Sequence, residues 1–155
     1  MNYRCEIKTD LGTMTLIETE NKISHISFSI MEKLLEIPIK KTMLLEKAEQ
    51  QILEYFEGKR QNFSLPIAPE GTAFQKKVWK ALQNIPYGQT RSYGEIAKEI
   101  GQCHAVRAVG NANHNNPIAI VIPCHRVIGA NGKLTGYYSG IDKKEFLLKL
   151  EGALI

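Results

Sequence analysis

A change of residue pattern at "QNFSLPIAPEG" (Gln61–Gly71) most constrains how this chain can fold. Two prolines and a glycine disfavour a helix or a central strand here, so we interpret the stretch as a linker. Polar and apolar residues alternate before it, whereas apolar residues recur at helical spacing after it. The 155 residues suffice for one ordinary domain or two small ones. We therefore expect two domains, residues 1–66 and residues 67–155.

The first part has the pattern of a small antiparallel sheet followed by a helix. Alternation and β-branched residues predict strands, separated by turns at Thr9–Gly12 and Glu20–Lys22. The predicted strands are 3–9, 13–18 and 23–28. Apolar residues at helical spacing predict a helix over Thr42–Phe56, and Gly58 suits its end.

Capping patterns mark helices in the second part. Thr72 with Gln75 predicts the start of a helix that Pro86 terminates. Asp142 with Glu145 predicts the start of a last helix, whose buried residues are expected to be Phe146, Leu147 and Leu150.

Two short helices around a glycine turn match a helix-turn-helix. Ser92 with Glu95 begins the first helix, Gly101 ends it, and Cys103–Asn113 forms the second. The second helix carries several small residues and leaves Arg107 able to project from it. These small residues are Ala105, Ala108, Gly110 and Ala112. Close approach to a ligand and tight helix packing explain them equally well.

Composition excludes several protein classes. With 43% hydrophobic and 23% charged residues, the chain is expected to be globular rather than disordered. No apolar run approaches the ~20 residues that span a bilayer, and the N-terminus lacks a signal-peptide core. Three widely spaced cysteines, Cys5, Cys103 and Cys124, do not suggest a disulfide framework. We expect a soluble, cytoplasmic protein with reduced thiols and no membrane partner.

Charge is unevenly distributed along the chain. Residues 1–70 hold 9 Lys/Arg and 11 Asp/Glu, a net −2, whereas residues 71–155 hold 11 and 5, a net +6. A basic half suggests a polyanionic partner, although charge alone favours a merely solvated surface.

The stretch "AIVIPCHRVIG" (Ala119–Gly129) places a thiol and an imidazole at the end of a strand-like apolar run. Cys124 needs a base or a nearby positive charge to become a reactive thiolate. His125 is its neighbour, and adjacent residues do not face each other in strands or helices, so a water between them would be needed. A carboxylate could orient the imidazole. The candidates are Glu151, Glu95 and Glu99. From the dipeptide alone, an inert buried cysteine is the favoured interpretation.

Four segments together resemble the O6-alkylguanine-DNA alkyltransferases. They are "IPCHRVIG", "GTAFQKKVWKALQNIPYGQTRSYGEIA" (Gly71–Ala97), "AVRAVGNANHNNP" (Ala105–Pro117) and "GYYSG" (Gly136–Gly140). The resemblance covers residues 71–152, while residues 1–70 match only in pattern. It implies an α+β fold: a small ribonuclease-H-like α/β domain, then a mainly helical, winged helix-turn-helix-like domain.

The resemblance implies a suicidal repair reaction that uses no cofactor. The protein would bind double-stranded DNA carrying O6-alkylguanine, and O4-alkylthymine as well. Cys124 would accept the alkyl group, His125 would deprotonate the thiol through a water, and Glu151 would orient the imidazole. Asn116 would brace the segment before the cysteine, and Arg126 would be structural.

The resemblance also implies how DNA is bound. Arg107 would fill the gap left by the flipped nucleotide, and Tyr93 would push on its phosphate and protonate the departing guanine. Ser92, Gly94 and Gln102 would add contacts near the backbone. Tyr137, Tyr138 and Ser139 would wall the guanine pocket.

Three further expectations complete the sequence interpretation. The resemblance implies that some family members hold a structural zinc in the N-terminal domain with two cysteines and two histidines. Here Cys5 and His25 could match two of these ligands, but no second cysteine lies nearby in the sequence, so no zinc is expected. The protein is expected to be a stand-alone, monomeric member of the bacterial or archaeal type, and active because it retains Cys124. The alternatives are a non-catalytic DNA-binding module or regulator, and a multiple-turnover cysteine hydrolase.

Overall fold

A computed structural model describes residues 1–134, 136–137 and 139–154. The chain divides into two compact units. The first comprises Met1–Glu70 together with Pro117–Ala119, and the second comprises Gly71–Asn116 and the chain from Ile120 onward. Within the described residues, no helix is both long enough and apolar enough to cross a bilayer.

The first unit is built on a three-stranded antiparallel sheet. Strands β1 (Asn2–Thr9), β2 (Gly12–Thr19) and β3 (Lys22–Ser27) lie in the order β1-β2-β3, and they confirm the strands predicted from alternation. The β2–β3 turn places Glu20 and Asn21 at positive φ, as a tight two-residue hairpin requires. Pro117–Ala119 joins this unit through a bridge between Ile26 and Ile118.

One face of the sheet is covered by helix α1 (Met43–Phe56), as predicted. The Thr42 hydroxyl caps it by accepting a hydrogen bond from the Leu45 amide at 3.2 Å. A short 3-10 helix, Glu32–Glu36, precedes α1 and is not predicted by the sequence pattern. The buried residues of α1 include Leu45, Ala48, Ile52 and Tyr55.

The second unit contains both predicted capping boxes. Helix α2 (Ala73–Leu82) begins with the Thr72–Gln75 box, and helix α3 (Tyr93–Glu99) begins with the Ser92–Glu95 box. Helix α4 (Val106–His114) completes the helix-turn-helix. Strands β4 (Arg91–Ser92) and β5 (Val127–Ile128) pair in parallel beside it.

The small residues of α4 lie on two different faces of the helix. Val109 and Ala112 are buried, and the Trp79 indole on α2 donates a 2.8 Å hydrogen bond to the Ala112 carbonyl. Arg107 and Ala108 are exposed on the other side of the helix. One face of α4 therefore packs, while the other is open to a ligand.

The last helix, α5 (Ile141–Leu150), differs from its prediction. Its N-cap is Gly140 at φ 110°, without a side-chain cap, so the expected Asp142–Glu145 cap is wrong. Because the helix begins one residue before Asp142, this carboxylate lies in the first turn, where the helix dipole favours it. Phe146 and Leu150 are only half-buried. The buried residues are instead Lys144, Leu147 and Leu148.

Candidate active site

Cys124 lies in a single 3-10 turn, Cys124–Arg126, rather than at the end of a strand. The residues before it form turns, and Ile120 has a positive φ of 71°. Cys124 is 5% exposed and His125 is fully buried. Successive side chains in a 3-10 turn point about a third of a turn apart, so the thiol and the imidazole face different neighbours.

The His125 ring contacts the carboxylate of Glu151 at the end of α5. Nε2 lies 2.6 Å from Glu151 Oε2, and both side chains are fully buried. An ionised carboxylate at this distance places the ring proton on Nε2. The other nitrogen, Nδ1, is buried without a hydrogen-bond partner among the described residues. The imidazole is thus held as the tautomer whose free lone pair lies on Nδ1.

Arg126 holds the same carboxylate from the other side. Its Nε donates to Glu151 Oε1 at 2.8 Å, and Nη2 donates to Oε2 at 2.9 Å. Its Nη1 donates to the Ile85 carbonyl at 2.7 Å, and its guanidinium lies 5.7 Å from the Tyr87 ring. This two-pronged pairing fixes the carboxylate plane, and with it the orientation of the imidazole.

Asparagine side chains from the end of α4 hold the backbone around the cysteine. Asn116 Nδ2 donates to the Ile122 carbonyl at 2.8 Å, and Asn113 Nδ2 donates to the Cys124 carbonyl at 3.3 Å. The sequence interpretation places Asn116 here but does not include Asn113. Asn113 lies in the last turn of α4 and Asn116 follows the helix, so the helix-turn-helix and the cysteine turn are positioned together.

Burial raises the pKa of the Cys124 thiol, and three neighbours oppose this effect. The Asn116 amide, the Lys144 ammonium and the Tyr137 hydroxyl all lower the thiol pKa. The Tyr137 hydroxyl has no hydrogen bond of good geometry to a described group, yet it lies close enough to interact with the sulfur. Burial, and next the Cys124 sulfur, raise the pKa of Tyr137 well above its usual value. Both groups are therefore neutral at rest.

Burial also lowers the pKa of His125. The hydrogen bond and the charge of Glu151 oppose that decrease, whereas Arg126 and Lys144 add to it. The imidazole is therefore neutral at physiological pH, as a general base must be.

Lys144, like Asn113, is a residue of this site that the sequence interpretation missed. It is fully buried on α5, and its Nζ donates to the Val127 carbonyl. Burial lowers its pKa to about 8, while the Cys124 sulfur favours its charged form. The signal is present in the sequence, because Lys144, Leu147, Leu148 and Glu151 follow the i, i+3, i+4, i+7 spacing of one helix face.

Tyr93 links this site to the helix-turn-helix. Its ring lies 5.9 Å from the Lys144 Nζ. A β-carbon added at Gly110 of α4 would lie 3.9 Å from the Tyr93 ring, and one added at Gly136 would lie 3.9 Å from the Tyr93 hydroxyl. Tyr93 therefore lies beside both the reactive residues and the exposed helix.

The other predicted DNA contacts lie on the helix-turn-helix. Ser92 and Gly94 flank Tyr93 at the start of α3, and the Ser92 hydroxyl caps the Glu95 amide at 3.1 Å. Arg107 and Gln102 are exposed, whereas Cys124 and His125 are buried. The chain thus combines a buried reactive cluster with exposed residues of the helix-turn-helix.

Of the predicted pocket residues, Tyr137 is 7% exposed and Ser139 is half-buried. Tyr138 lies outside the described residues. Among the described residues, no group of three or more His, Cys, Asp or Glu side chains could hold a metal ion.

Two family models match this chain. Residues 73–153 match the 6-O-methylguanine DNA methyltransferase, DNA binding domain, and residues 2–69 match the ribonuclease-like domain of the same family. Both the α+β fold and the order of the two domains agree with the sequence prediction.

Individual proteins resemble the chain over nearly its full length. A methylated-DNA–protein-cysteine methyltransferase of Methanosarcina acetivorans is 51% identical to this chain in sequence. The alignment covers 97% of this chain and 99% of the relative. The crystal structure of Mycobacterium tuberculosis O6-methylguanine methyltransferase superimposes with a TM-score of 0.90 at 43% identity, covering 99% of this chain and 94% of that one. The crystal structure of Mycobacterium tuberculosis OGT in complex with DNA superimposes with a TM-score of 0.90 at 44% identity. The match covers 97% of this chain and 93% of that one. On sequence, domain order and fold alike, the chain belongs to the 6-O-methylguanine DNA methyltransferase family.

Proposed function

We propose that this protein repairs duplex DNA by transferring the alkyl group of O6-alkylguanine to Cys124 in one irreversible turnover. The observation that carries the proposal is the buried cluster around Cys124, in which a Glu151-bound His125 and the Lys144 amine accompany the thiol. The substrate class follows from the names of the relatives, which describe methylated DNA and a protein cysteine.

His125 acts as the general base. Its Nε2 proton is committed to Glu151, which leaves the Nδ1 lone pair to accept a proton. Since His125 Nδ1 makes no direct hydrogen bond to the neighbouring thiol, a bridging water carries the proton from sulfur to nitrogen. Glu151 then stabilises the imidazolium that forms, and Arg126 keeps the carboxylate in place.

The thiolate is stabilised by the groups that lower the thiol pKa. The Lys144 ammonium supplies charge, while Asn116 and Tyr137 supply hydrogen bonds. In a buried site these interactions are stronger than in water, because the surrounding dielectric is low. They oppose the desolvation that burial imposes on a charged sulfur.

Transfer is a displacement at the alkyl carbon. The thiolate forms a sulfur–carbon bond, the carbon–O6 bond breaks, and its electron pair moves to the guanine oxygen. Tyr93 donates a proton to that oxygen, which balances the proton that His125 removed from the thiol. The thioether has no leaving group as good as guanine, so each molecule reacts once.

DNA is bound through the helix-turn-helix, with α4 in the minor groove. Arg107 enters the base stack in place of the flipped nucleotide, and Tyr93, Ser92, Gly94 and Gln102 contact the backbone around it. Tyr137, Tyr138 and Ser139 line the pocket that receives the guanine. We infer little dependence on surrounding sequence, since the minor groove presents a degenerate pattern.

Further features complete the proposal. The protein acts as a monomer, without a cofactor, in the cytoplasm, and repairs O4-alkylthymine as well as O6-alkylguanine. Residues 1–66 form the first domain, and residues 67–155 carry both DNA binding and chemistry.

The test is intact mass spectrometry after incubation with duplex DNA containing O6-methylguanine. We expect one methyl group in place of one proton, mapped to Cys124 and stopping at one equivalent. Cys124→Ala should bind the same DNA without a mass change. Cys103→Ala is the matched control, because Cys103 is exposed whereas Cys124 is buried, and this variant should be alkylated normally.

Other outcomes would decide against the proposal. DNA binding with no mass change in the unmodified protein would indicate a non-catalytic module or regulator. Release of more than one equivalent of product per protein would indicate a hydrolase that regenerates its thiol.

A further inference from the structure

We propose that the lysine face of α2, formed by Lys76, Lys77 and Lys80, is a second binding surface for duplex DNA. It would bind phosphates beside the groove that α4 enters. The inference rests on the proposed function for the identity of the nucleic acid, but the surface itself is derived from charge and packing.

The three lysines lie on one side of α2 and are exposed. The opposite side is buried through Val78, Trp79 and Leu82. With 3.6 residues per turn, positions 76, 77 and 80 fall on adjacent corners of the helix, so their amines can be directed at one target. An amphipathic helix needs polar residues on this side, but it does not need them all to be cationic.

None of the three lysines forms an ion pair with another described residue. Three other exposed lysines pair with carboxylates, whereas scattered ones such as Lys22, Lys33 and Lys47 pair with none among the described residues, so the distinguishing feature of α2 is the clustering of unpaired lysines. Lys41 lies 2.5 Å from Glu49, Lys59 lies 2.8 Å from Glu57, and Lys149 lies 2.8 Å from Glu145. The positive charges of the lysine face are therefore not neutralised by carboxylates of the described residues, which leaves them available to bind phosphate.

The acidic residues of the second unit are absent from this face and from α4. Residues 71–94 contain no Asp or Glu, and neither do residues 100–141. The five carboxylates after residue 70 lie on α3 and at α5 or its end, at Glu95, Glu99, Asp142, Glu145 and Glu151. Helices α2 and α4 together thus carry cations without a single carboxylate.

Helix α2 lies directly against the helix that we assign to the groove. The Trp79 indole donates to the Ala112 carbonyl of α4 at 2.8 Å. Packed helices lie about 8–10 Å apart, and the screening length is about 8 Å at physiological salt. The lysine face therefore lies on the helix packed beside α4, and we infer that its cations reach phosphates next to an α4-bound groove.

Salt dependence of DNA binding tests this surface directly. Each phosphate contact steepens the slope of log affinity against log salt by about 0.9. Lys76→Gln, Lys77→Gln and Lys80→Gln together should make the slope shallower by up to about 2.7 on unmodified duplex. The matched control neutralises three exposed lysines of the first unit, Lys22, Lys33 and Lys47, by the same substitution.

A slope at least about one shallower than that of the control variant supports the surface, since that equals one lost contact. Any smaller difference overturns it. Alkyl transfer from O6-alkylguanine as a free base should be unchanged in both variants, which confirms that each is folded. If the unmodified protein transfers no alkyl group, the proposed function fails, whereas the salt slope still reports on the lysine face.

Discussion

Glu151→Gln is the substitution that most directly tests how the active site is held. The Glu151 carboxylate accepts from His125 Nε2 at 2.6 Å and from Arg126 Nε and Nη2 at 2.8 and 2.9 Å. It also accepts from the Gly88 amide at 3.4 Å. Glutamine keeps the shape but provides one oxygen and one amide group. If the oxygen stays on Arg126, the amide donates toward Nε2 and forces the ring proton onto Nδ1, so the base is lost.

Both stability and rate should fall. Glu151 and Arg126 are each 6% exposed, and breaking a buried pair by removing one charge costs about 3–5 kcal/mol. Glutamine retains part of the hydrogen bonding, so we expect about 3 kcal/mol. For a chain of this length that lowers the melting temperature by roughly 6–12 °C. Loss of the general base should slow transfer by about 10²–10⁴-fold.

The assay pairs denaturant unfolding with single-turnover transfer from methylated duplex at saturating DNA. Glu145→Gln is the matched control, because it makes the same change on the same helix. Glu145 pairs with Lys149 at 2.8 Å, but both side chains are about half exposed. Its loss should cost less than about 0.5 kcal/mol and leave the rate unchanged.

The reasoning is refuted if Glu151→Gln is as stable and as fast as Glu145→Gln. Lower stability with an unchanged transfer rate would show that the carboxylate supports the fold but does not set the imidazole tautomer.

Three more outcomes are expected. Lys144→Met removes a cation that lowers the thiol pKa, so the pH profile of the transfer rate should move to higher pH. If the thiol pKa rises by about one, the transfer rate at neutral pH should fall about tenfold. Gly71→Ala should lower the free energy of unfolding in urea by about 1–3 kcal/mol, because the added β-carbon would lie 2.5 Å from the Trp79 ring. A β-carbon added at Gly110 would lie 3.9 Å from the Tyr93 ring, so Gly110→Ala should leave the protein equally stable or more stable. Arg107→Ala should slow transfer from duplex DNA but not from the free base, and equal slowing of both would remove Arg107 from base flipping.

Elements governed by local chemistry could be predicted from the sequence. Alternation predicts β1–β3, and the Thr72–Gln75 and Ser92–Glu95 boxes predict α2 and α3, because a cap is made by residues three apart. The start of helix α5 differs for the complementary reason. The same capping pattern is present at Asp142, but Gly140 already supplies the turn into the helix.

The segment before Cys124 shows where tertiary structure overrides pattern. An apolar, β-branched run predicts a strand, yet the chain turns, and Ile120 lies buried at φ 71°. A β-branched residue is costly in that region, so the surrounding structure must impose it. The side-chain amides of Asn116 and Asn113 donate hydrogen bonds to the backbone carbonyls of Ile122 and Cys124 and hold this part of the chain in place. Both asparagines lie outside the apolar run, so its residue pattern alone could not predict these hydrogen bonds.

Buried charge explains why the sequence revealed only part of the site. Residues such as Lys144 are assigned to the surface by default, because an unpaired charge is rarely buried. Here Arg126 and Lys144 bring two cations and Glu151 brings one anion, so the charged site with a neutral thiol has an excess positive charge. When the Cys124 proton moves to His125 it stays in the site, so this excess persists while the thiolate forms. The Asn116 hydrogen bond and then the Lys144 charge lower the thiol pKa, so the ammonium that the sequence pattern assigns to the surface favours the thiolate.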